Sequence, residues 1–290
     1  KFPRVNNKTY GYFGGGAIPA QISTISRLDF SNETVSNPGN NLPSARTSLV
    51  ATSSSSYGYF GGGNTPTPVN ISTISRLDFS NETVSDTGKN LSSAINSIAA
   101  TSSSSYGYFG GGFPLISTIS RLDFSNETVS NPGNNLSSAR SNLIATSSSS
   151  FGYFGGGYFT PPPILISTIS RLDFSTETTS NPGNNLPSER ANSAATSSSS
   201  YGYFGGGQTP TVFINTISRL DFSTETTSNP GNNLPSSIGR LSATSSSSYG
   251  YFGGGYFTPP ATFINTISRL DFSNETLSNP GNNLPSARRN

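Results

Sequence analysis

The side chains capable of chemistry in this chain are few in kind. The 290 residues include no His and no Cys, so the sequence cannot build a Ser–His or Cys–His dyad or offer imidazole and thiolate ligands to zinc or copper. Acid–base chemistry would fall to carboxylates, yet every Asp and Glu except Asp86 and Glu189 belongs to one recurring motif. In a chain built from repeated units, a catalytic site would need one unit whose residues differ from those of the other units. We therefore predict that the protein is not an enzyme and uses no cofactor and no metal.

The recurring motif reads Arg-Leu-Asp-Phe-Ser, then Asn or Thr, then Glu and Thr. Its Arg and Asp stand two residues apart and so share one face of a strand. They could pair with each other, form a ring of pairs between neighbouring units, or hold a charged ligand. Recurrence in every unit favours structural ion pairs. The residues concerned are Arg27, Asp29, Arg76, Asp78, Arg121, Asp123, Arg171, Asp173, Arg219, Asp221, Arg269 and Asp271.

Four units carry Asn-Glu-Thr, an acceptor sequence for N-glycosylation in a suitable secretory pathway. The acceptors would be Asn32, Asn81, Asn126 and Asn274. The other two units have Thr176 and Thr224 at the same position. A turn that simply favours Asn is the simpler explanation, and both interpretations stay open.

Internal repetition predicts the architecture that positions these residues. A Tyr-Gly-Tyr-Phe-Gly-Gly-Gly block, with Phe once in place of the first Tyr, starts at residues 10, 57, 106, 151, 201 and 249, spaced by 45 to 50 residues. This period, with about four strand signals per unit, is typical of β-propeller blades. The abundant Gly, Pro and Ser oppose helical repeats. We predict an all-β fold in which residues 1–290 form a single six-bladed propeller of four-stranded antiparallel blades.

The second unit shows the expected strands. Residues 48–52 predict strand a, residues 57–60 strand b and residues 72–79 strand c, with a short edge strand d around residues 83–84. Three glycines end strand b, where positive φ is cheap and a neighbouring backbone can come close. An Asn-Pro-Gly-Asn-Asn turn connects strand d to the next strand a in most units.

The two termini are expected to close the ring. The chain begins just before a strand b and ends at residues 287–290, the stretch that elsewhere opens strand a. The termini should therefore meet near strand a of one blade. Whether residues 1–9 alone form that strand, or residues 288–290 extend it, stays open.

This order of signals resembles the kelch repeat. The likeness rests on Tyr-Phe-Gly-Gly-Gly, Arg-Leu-Asp-Phe and Leu-Pro-Ser-Ala-Arg (residues 42–46), covers essentially the whole chain, and implies a kelch-like propeller. One departure is that the Trp of kelch strand d is replaced, so packing between blades is expected to depend on Tyr and Phe of strands b and c. The replacing residues are Val35, Val84, Val129, Thr179, Thr227 and Leu277.

The repeat sequence is also similar to that of repeat proteins of marine phages and cyanobacteria.

Most of the variety in the chain falls in the b–c loops, which an up-and-down blade places on one face with the d–a connections. These loops span residues 17–21, 64–70, 113–115, 158–165, 208–213 and 256–263. Pro-stiffened loops with aromatic residues could bind sugars or protein at low ordering cost. The same aromatics could instead fold back over the ends of strands c. The candidate ligand-binding residues are Phe113, Tyr158, Phe159, Phe213, Tyr256, Phe257 and Phe263.

These features together predict a binding or structural role. A formal charge of +2 does not suggest nucleic acid, and no apolar run approaches the roughly 20 residues of a membrane helix. We expect a non-catalytic structural or adhesive propeller, extracellular or on a virion surface as a tail-fibre or decoration protein. Its partners would be proteins of a larger assembly or surface glycans. The alternative is a soluble lectin that uses the b–c loops.

Overall fold

The computed structural model describes residues 6–7, 9–159, 164–258 and 260–290. These residues form six four-stranded antiparallel sheets, the blades of a six-bladed β-propeller, and contain no helix. The predicted fold is confirmed. No described segment is a helix that could span a membrane. In each blade the chain runs from strand a at the central channel to strand d at the rim.

The strand bounds repeat from blade to blade. Blade 1 contains β1 Asn6–Asn7, β2 Tyr10–Gly14, β3 Ala17–Ile18, β4 Ala20–Gln21, β5 Ile25–Asp29 and β6 Val35–Ser36. Blade 2 contains β7 Val50–Ser53, β8 Tyr57–Gly61, β9 Thr73–Asp78 and β10 Val84–Asn90. Blade 3 contains β11 Ala99–Ser102, β12 Tyr106–Gly110, β13 Ile119–Asp123 and β14 Val129–Ser130.

The second half of the ring follows the same order. Blade 4 contains β15 Ile144–Ser147, β16 Phe151–Gly155, β17 Tyr158–Phe159, β18 Ile164–Leu165, β19 Ile169–Asp173 and β20 Thr179–Ser180. Blade 5 contains β21 Ala194–Ser197, β22 Tyr201–Gly205, β23 Ile217–Asp221 and β24 Thr227–Ser228. Blade 6 contains β25 Ser242–Ser245, β26 Tyr249–Gly253, β27 Tyr256–Phe257, β28 Thr262–Phe263, β29 Ile267–Asp271 and β30 Leu277–Ser278. The pairs β3–β4, β17–β18 and β27–β28 are small ladders within b–c loops.

Strand boundaries depart from expectation where the backbone leaves the extended region. Strand a of blade 2 begins at Val50 and not at residue 48, because Ser48 adopts a φ of 54°. Strand d of the same blade runs seven residues, against two in each of the other five blades. Those blades continue with Asn-Pro-Gly, whose Pro has no N–H for the ladder. Blade 2 has Thr87 in place of that Pro, and its hydroxyl donates to the carbonyl of Ile74 at 2.8 Å.

The glycine triplet lets neighbouring blades approach, as predicted. A Cβ on Gly61 would lie 2.7 Å from the ring of Phe109 in the next blade. Gly62 has a φ of 64°, and a Cβ there would lie 2.6 Å from the carbonyl oxygen of Ile95. Only glycine allows both the left-handed backbone and the close contact.

The apolar core is divided into layers between blades. Between blades 3 and 4, for example, Tyr108 and Ile119 pack against Phe154 and Leu172, and all four side chains are fully buried or nearly so. Since each blade contacts two neighbours, both faces of its sheet are covered, and inter-blade packing uses the Tyr and Phe of strands b and c.

A Tyr–Glu–Arg contact, which we call the inter-blade clamp, joins each blade to the next. In blade 3, Tyr108 stacks on Phe174 of blade 4, with ring centroids 5.4 Å apart. The Tyr108 hydroxyl donates to Glu177 of blade 4 at 3.0 Å. Arg121, opposite Tyr108 in the ladder, donates to the same carboxylate at 2.8 Å and lies over the Tyr106 ring. Burial, with the hydrogen bond to Glu177, raises the pKa of Tyr108 far above its ordinary value.

The clamp occurs at all six junctions, and the last one closes the ring from blade 6 to blade 1. The guanidinium–carboxylate distances are 2.8–3.1 Å, for the pairs Arg27–Glu82, Arg76–Glu127, Arg121–Glu177, Arg171–Glu225, Arg219–Glu275 and Arg269–Glu33.

The carboxylate partner of each Arg is thus Glu and not the Asp two residues away. Asp123 accepts hydrogen bonds from the backbone N–H of Ser125 at 2.8 Å and from its hydroxyl at 2.6 Å. These bonds hold the c–d turn and lower the pKa of Asp123. The same Ser contacts engage Asp29, Asp78, Asp173, Asp221 and Asp271. The ring of ion pairs between blades exists, but the partner differs from the expected one.

Four buried arginines fix the d–a connections. Arg140 donates to the carbonyls of Gly156, Thr168 and Phe154 and to the hydroxyl of Ser170, at 2.8–3.2 Å. Burial lowers its pKa to about 10, so the group stays charged at neutral pH. Arg46, Arg190 and Arg288 lie at the same position of other blades and are also buried. In blades 3 and 6 the position holds Ile95 and Ile238.

Both termini contribute to blade 1. Asn6–Asn7 forms its strand a, paired with β2. Arg288 donates to the Phe13 carbonyl, and Arg289 forms an isolated bridge with Ala17. The N-terminal segment therefore supplies the inner strand, while the C-terminal residues supply the connection that precedes it in other blades. Residues 1–5 and 8 of the predicted closing segment lie outside the described part of the chain.

We predict that the clamp carries a measurable part of the stability. Glu177→Gln keeps the size and an acceptor but removes the charge that both Tyr108 and Arg121 contact. Charge-assisted hydrogen bonds exceed neutral ones, so the free energy of unfolding should fall by about 1–2 kcal/mol in urea titrations. The matched control is Glu189→Gln, an exposed carboxylate with no ion-pair partner among the described residues. Equal effects of the two substitutions would contradict the prediction.

A second test uses Arg140, because blades 3 and 6 have Ile at the equivalent position. Arg140→Ile copies a side chain that the same position already accommodates, and replacing a buried charge by a packed apolar group is often neutral, so the loss should stay within about 1 kcal/mol. Both substitutions remove the donors to the same carbonyls, but Arg140→Ala also leaves a cavity and should lose about 3 kcal/mol or more. Chemical unfolding of both variants measures the difference. The interpretation fails if the two variants lose the same amount.

Candidate functional site

The b–c loops and the d–a connections form one continuous face, which we call the loop face. The first residue of each b–c loop pairs with a d–a residue through an isolated antiparallel bridge. These bridges surround the mouth of the central channel. They are Ala17–Arg289, Thr47–Asn64, Asn96–Phe113, Ser141–Tyr158, Ala191–Gln208 and Gly239–Tyr256. The loops are therefore anchored at their bases.

The loops also contact one another. The Asn70 amide of blade 2 donates to the carbonyl of Phe113 in blade 3 at 3.1 Å. The Tyr158 hydroxyl of blade 4 donates to the amide oxygen of Gln208 in blade 5 at 3.3 Å. These contacts connect loops of neighbouring blades and restrict how far they can move separately.

Exposed apolar side chains concentrate on this face. The large hydrophobic residues that stand exposed in the described part of the chain are Val69, Phe113, Phe159, Ile164 and Val212. Every one of them belongs to a b–c loop. Phe113 is 55% exposed and Val212 58%. Exposed apolar surface gathered on one face marks an interaction site more often than scattered single residues do.

The predicted aromatic residues divide into two groups. Phe113 and Phe159 are exposed, as a binding role requires. Phe213 packs edge-on against Tyr256 at 5.6 Å, and Tyr256 lies against Phe263 at 5.7 Å. These three are half-buried and cover the blade junction.

Tyr158 and Phe257 are also half-buried, and Phe257 packs against the core layer of blades 5 and 6. The structure thus contains both arrangements that the sequence left open. Some aromatics cap the blades, and others face outward.

Several residues of the loop face had no signal in the repeat pattern. Arg289 lies over the rings of Tyr256 and Phe263, 5.9 and 5.7 Å from their centroids. Val69, Ile164 and Val212 are single apolar residues in polar or Pro-rich loops, and only their exposure distinguishes them. The one usable clue was their position inside the segments that break the repeat.

The opposite face is uniform. Its c–d turns use the predicted sequon residues as caps: the Asn126 amide oxygen accepts the backbone N–H of Thr128 at 2.9 Å and its hydroxyl at 2.7 Å. Asn32, Asn81 and Asn274 make the same contacts. Thr176 replaces the amide by a hydroxyl contact to Thr178 at 2.8 Å. A turn preference therefore accounts for these Asn residues, and their glycosylation stays a prediction.

Comparisons and metal-binding geometry add little to the assignment. Neither a protein-family model nor a curated protein matches the chain. The described residues contain no group of three or more acidic, His or Cys side chains arranged to hold a metal ion.

The two groups of aromatics predict different responses to truncation. Phe213→Ala removes a ring that packs over Gly239 and against Tyr256, so the free energy of unfolding should fall by about 1–2 kcal/mol. Phe113→Ala shortens an exposed side chain and should change it by less than about 0.5 kcal/mol. Thermal unfolding of both variants measures the contrast. A large loss for Phe113→Ala would show that this ring is structural.

Proposed function

We propose that this chain is a non-catalytic adhesive or structural propeller that presents its loop face to a partner. The observation that carries the proposal is that, among the described residues, the exposed large apolar side chains all belong to the b–c loops, on a scaffold of otherwise closely similar blades. A rigid frame with loops anchored at their bases lowers the ordering cost of binding. The uniform face and the repeated rim offer equivalent contacts, whose weak affinities would add through effective concentration.

Display outside the cell is part of the same proposal. The Ser-, Thr- and Asn-rich composition and the likeness of the repeats to those of marine phages and cyanobacteria support a virion surface, as a tail-fibre or decoration protein, or a cell surface. The partners would be proteins of a larger assembly or surface glycans. We also propose that the blades are kelch-like. Positive-φ glycines after strand b and a buried Arg in the d–a connection support this description, and the missing Trp of strand d weakens it.

A soluble lectin is the second candidate. The loop face offers exposed rings such as Phe159 and, separately, the hydroxyl of Tyr158 and the amide of Gln208. An exposed aromatic ring can stack on the C–H face of a sugar ring, and hydroxyl and amide groups can pair with its hydroxyls.

Two measurements test the proposal. Antibody raised against the chain should label intact particles or cells that carry it, and labelling only after lysis would contradict surface display. The purified chain should bind those particles, or spots of a glycan array, in a saturable way.

Variants locate the binding surface. Combined Phe113→Ala, Phe159→Ala and Val212→Ala substitutions should weaken binding by at least about tenfold, the equivalent of losing roughly 1.4 kcal/mol of apolar contact. The control is Ser55→Ala with Ser104→Ala, two exposed residues of the a–b turns on the opposite face. Loss of binding in the control alone would move the site to the other face. Glycan binding without particle binding would favour the lectin.

A further inference from the structure

The mouth of the central channel on the loop face is surrounded by one residue from each d–a connection. These six residues, which we call the axial ring, are Ser48, Ser97, Asn142, Asn192, Arg240 and Asn290. Successive members are joined by backbone hydrogen bonds of 2.7–3.1 Å, in which each N–H from Ser97 onward donates to the carbonyl of the previous member. The backbone N–H groups of the ring members from Ser97 onward are therefore already hydrogen-bonded within the ring. A ligand would be bound by the side chains of the ring.

The axial ring is the rim of a cavity of about 200 Å³, which we call the axial cup. Beneath the axial ring, Leu49, Ile98, Leu143 and Leu241 line both the cup and the channel below, and blade 5 contributes Ser193 at the same position. These residues form a largely apolar neck between the two. No carboxylate side chain is among the described residues that line the cup. The cup is open to solvent, and its volume is sufficient for several waters or one monosaccharide unit.

Arg240 makes the cup asymmetric. It is the one charged member of the axial ring, it is exposed, and its guanidinium has no hydrogen-bond or ion-pair partner among the described residues. Its φ of 56° is a conformation that glycine adopts more cheaply. The preceding residue is Gly239, whose lack of a side chain serves the close approach of Phe213 instead. Ser48, Ser97, Asn142 and Asn192 have the same φ, between 53° and 57°, so what distinguishes Arg240 is its long cationic side chain.

Charge on the two faces of the disc also favours an anion at the cup. The loop face carries the buried Arg46, Arg140, Arg190 and Arg288, as well as Arg240, Arg289 and Lys89, against two carboxylates, Asp86 and Glu189. The opposite face carries the Asp of every c–d turn, and the Glu residues there are already paired with Arg. Of these cations only Arg240 lines the cup, but a face with an excess of cations raises the local concentration of anionic ligands.

We propose that the axial cup binds a single acidic sugar residue, with its carboxylate on Arg240. A guanidinium presents a planar fork that matches a carboxylate with two hydrogen bonds. The amide of Asn192 has no side-chain partner among the described residues, and with the hydroxyl of Ser48 it can pair with sugar hydroxyls. The Ser97 hydroxyl donates to the Asn96 amide oxygen at 2.6 Å and can only accept from the ligand. The apolar neck accommodates the C–H face of the ring. This site is separate from the exposed loop residues of the proposed function, so either can fail without the other.

Titration calorimetry with methyl β-D-glucuronide tests the cup, with methyl β-D-glucoside and sodium acetate as matched probes. The glucuronide should bind with one site per chain and at least about tenfold more tightly than either control, since it alone combines the charge with the hydroxyls. Its affinity should fall as salt concentration rises. Equal affinity for glucuronide and glucoside, or no detectable binding of the glucuronide, would overturn the proposal. If acetate binds as tightly as the glucuronide does, the cup is a simple anion site, and that result also overturns the proposal.

Substitutions of Arg240 in the axial ring test where the glucuronide binds. Arg240→Asn introduces the residue that the ring already holds at 142, 192 and 290, so the backbone conformation is tolerated, and glucuronide affinity should drop about tenfold or more. Arg240→Lys keeps the charge without the fork and should retain part of it. Phe113→Ala with Phe159→Ala should leave glucuronide affinity unchanged, which separates this site from the loops. Unchanged affinity in a folded Arg240→Asn variant would refute the assignment.

Discussion

The buried hydroxyl of one tyrosine per blade sets conditions that much of the propeller must meet. The strand-b Tyr of each blade supplies the large ring that fills the junction, and its hydroxyl goes into the interior with it. A buried hydroxyl without a partner would be strongly destabilising. The partner comes from the next blade as Glu, and the Arg opposite the Tyr balances that carboxylate. The ion pair itself is partly exposed and contributes little by Coulomb attraction. The larger contribution is the charge-assisted hydrogen bond that the carboxylate accepts from the buried Tyr hydroxyl, which is stronger than a bond to a neutral acceptor.

The need to pair with the Tyr of the preceding blade also determines the backbone conformation at each Glu. To point its carboxylate at the preceding blade, each Glu adopts a φ of 55–59° in the c–d turn. Glu has no intrinsic preference for this conformation, so the surrounding contacts must impose it. Capping by Asp123 and Asn126 in blade 3 shows how: their side-chain oxygens take the N–H groups of the turn on either side of Glu127. The polar residues of the motif therefore act together, and the repetition of the whole motif follows from the repetition of the junction.

Prediction from the sequence succeeded where the signal was local and repeated. The period gave the number of blades, and the glycine triplets were correctly interpreted as points of close approach. Prediction failed for the partner of Arg121, because Glu177 is 56 positions away along the chain and meets it only across a blade junction. Within one strand the two-residue period brings Arg121 and Asp123 to the same face, but the Asp123 carboxylate accepts its hydrogen bonds from Ser125. The outward direction of Phe113 and the inward direction of Phe213 could not be predicted either, since they depend on contacts with the next blade, such as the packing of Phe213 over Gly239.

Symmetry and its violation have different consequences in this molecule. Six equivalent clamps and closely similar turns and strands leave similar surfaces around the disc, and a partner that meets such a surface can bind at several similar positions. At the axis, described side chains contributed by the d–a connections around the ring converge on a single volume, so a difference in one connection alters the whole site there. The d–a connections differ in sequence at that point, from Ser48 and Ser97 to Arg240. A propeller of nearly identical blades can therefore combine repeated contacts at its rim with a single asymmetric site at its centre.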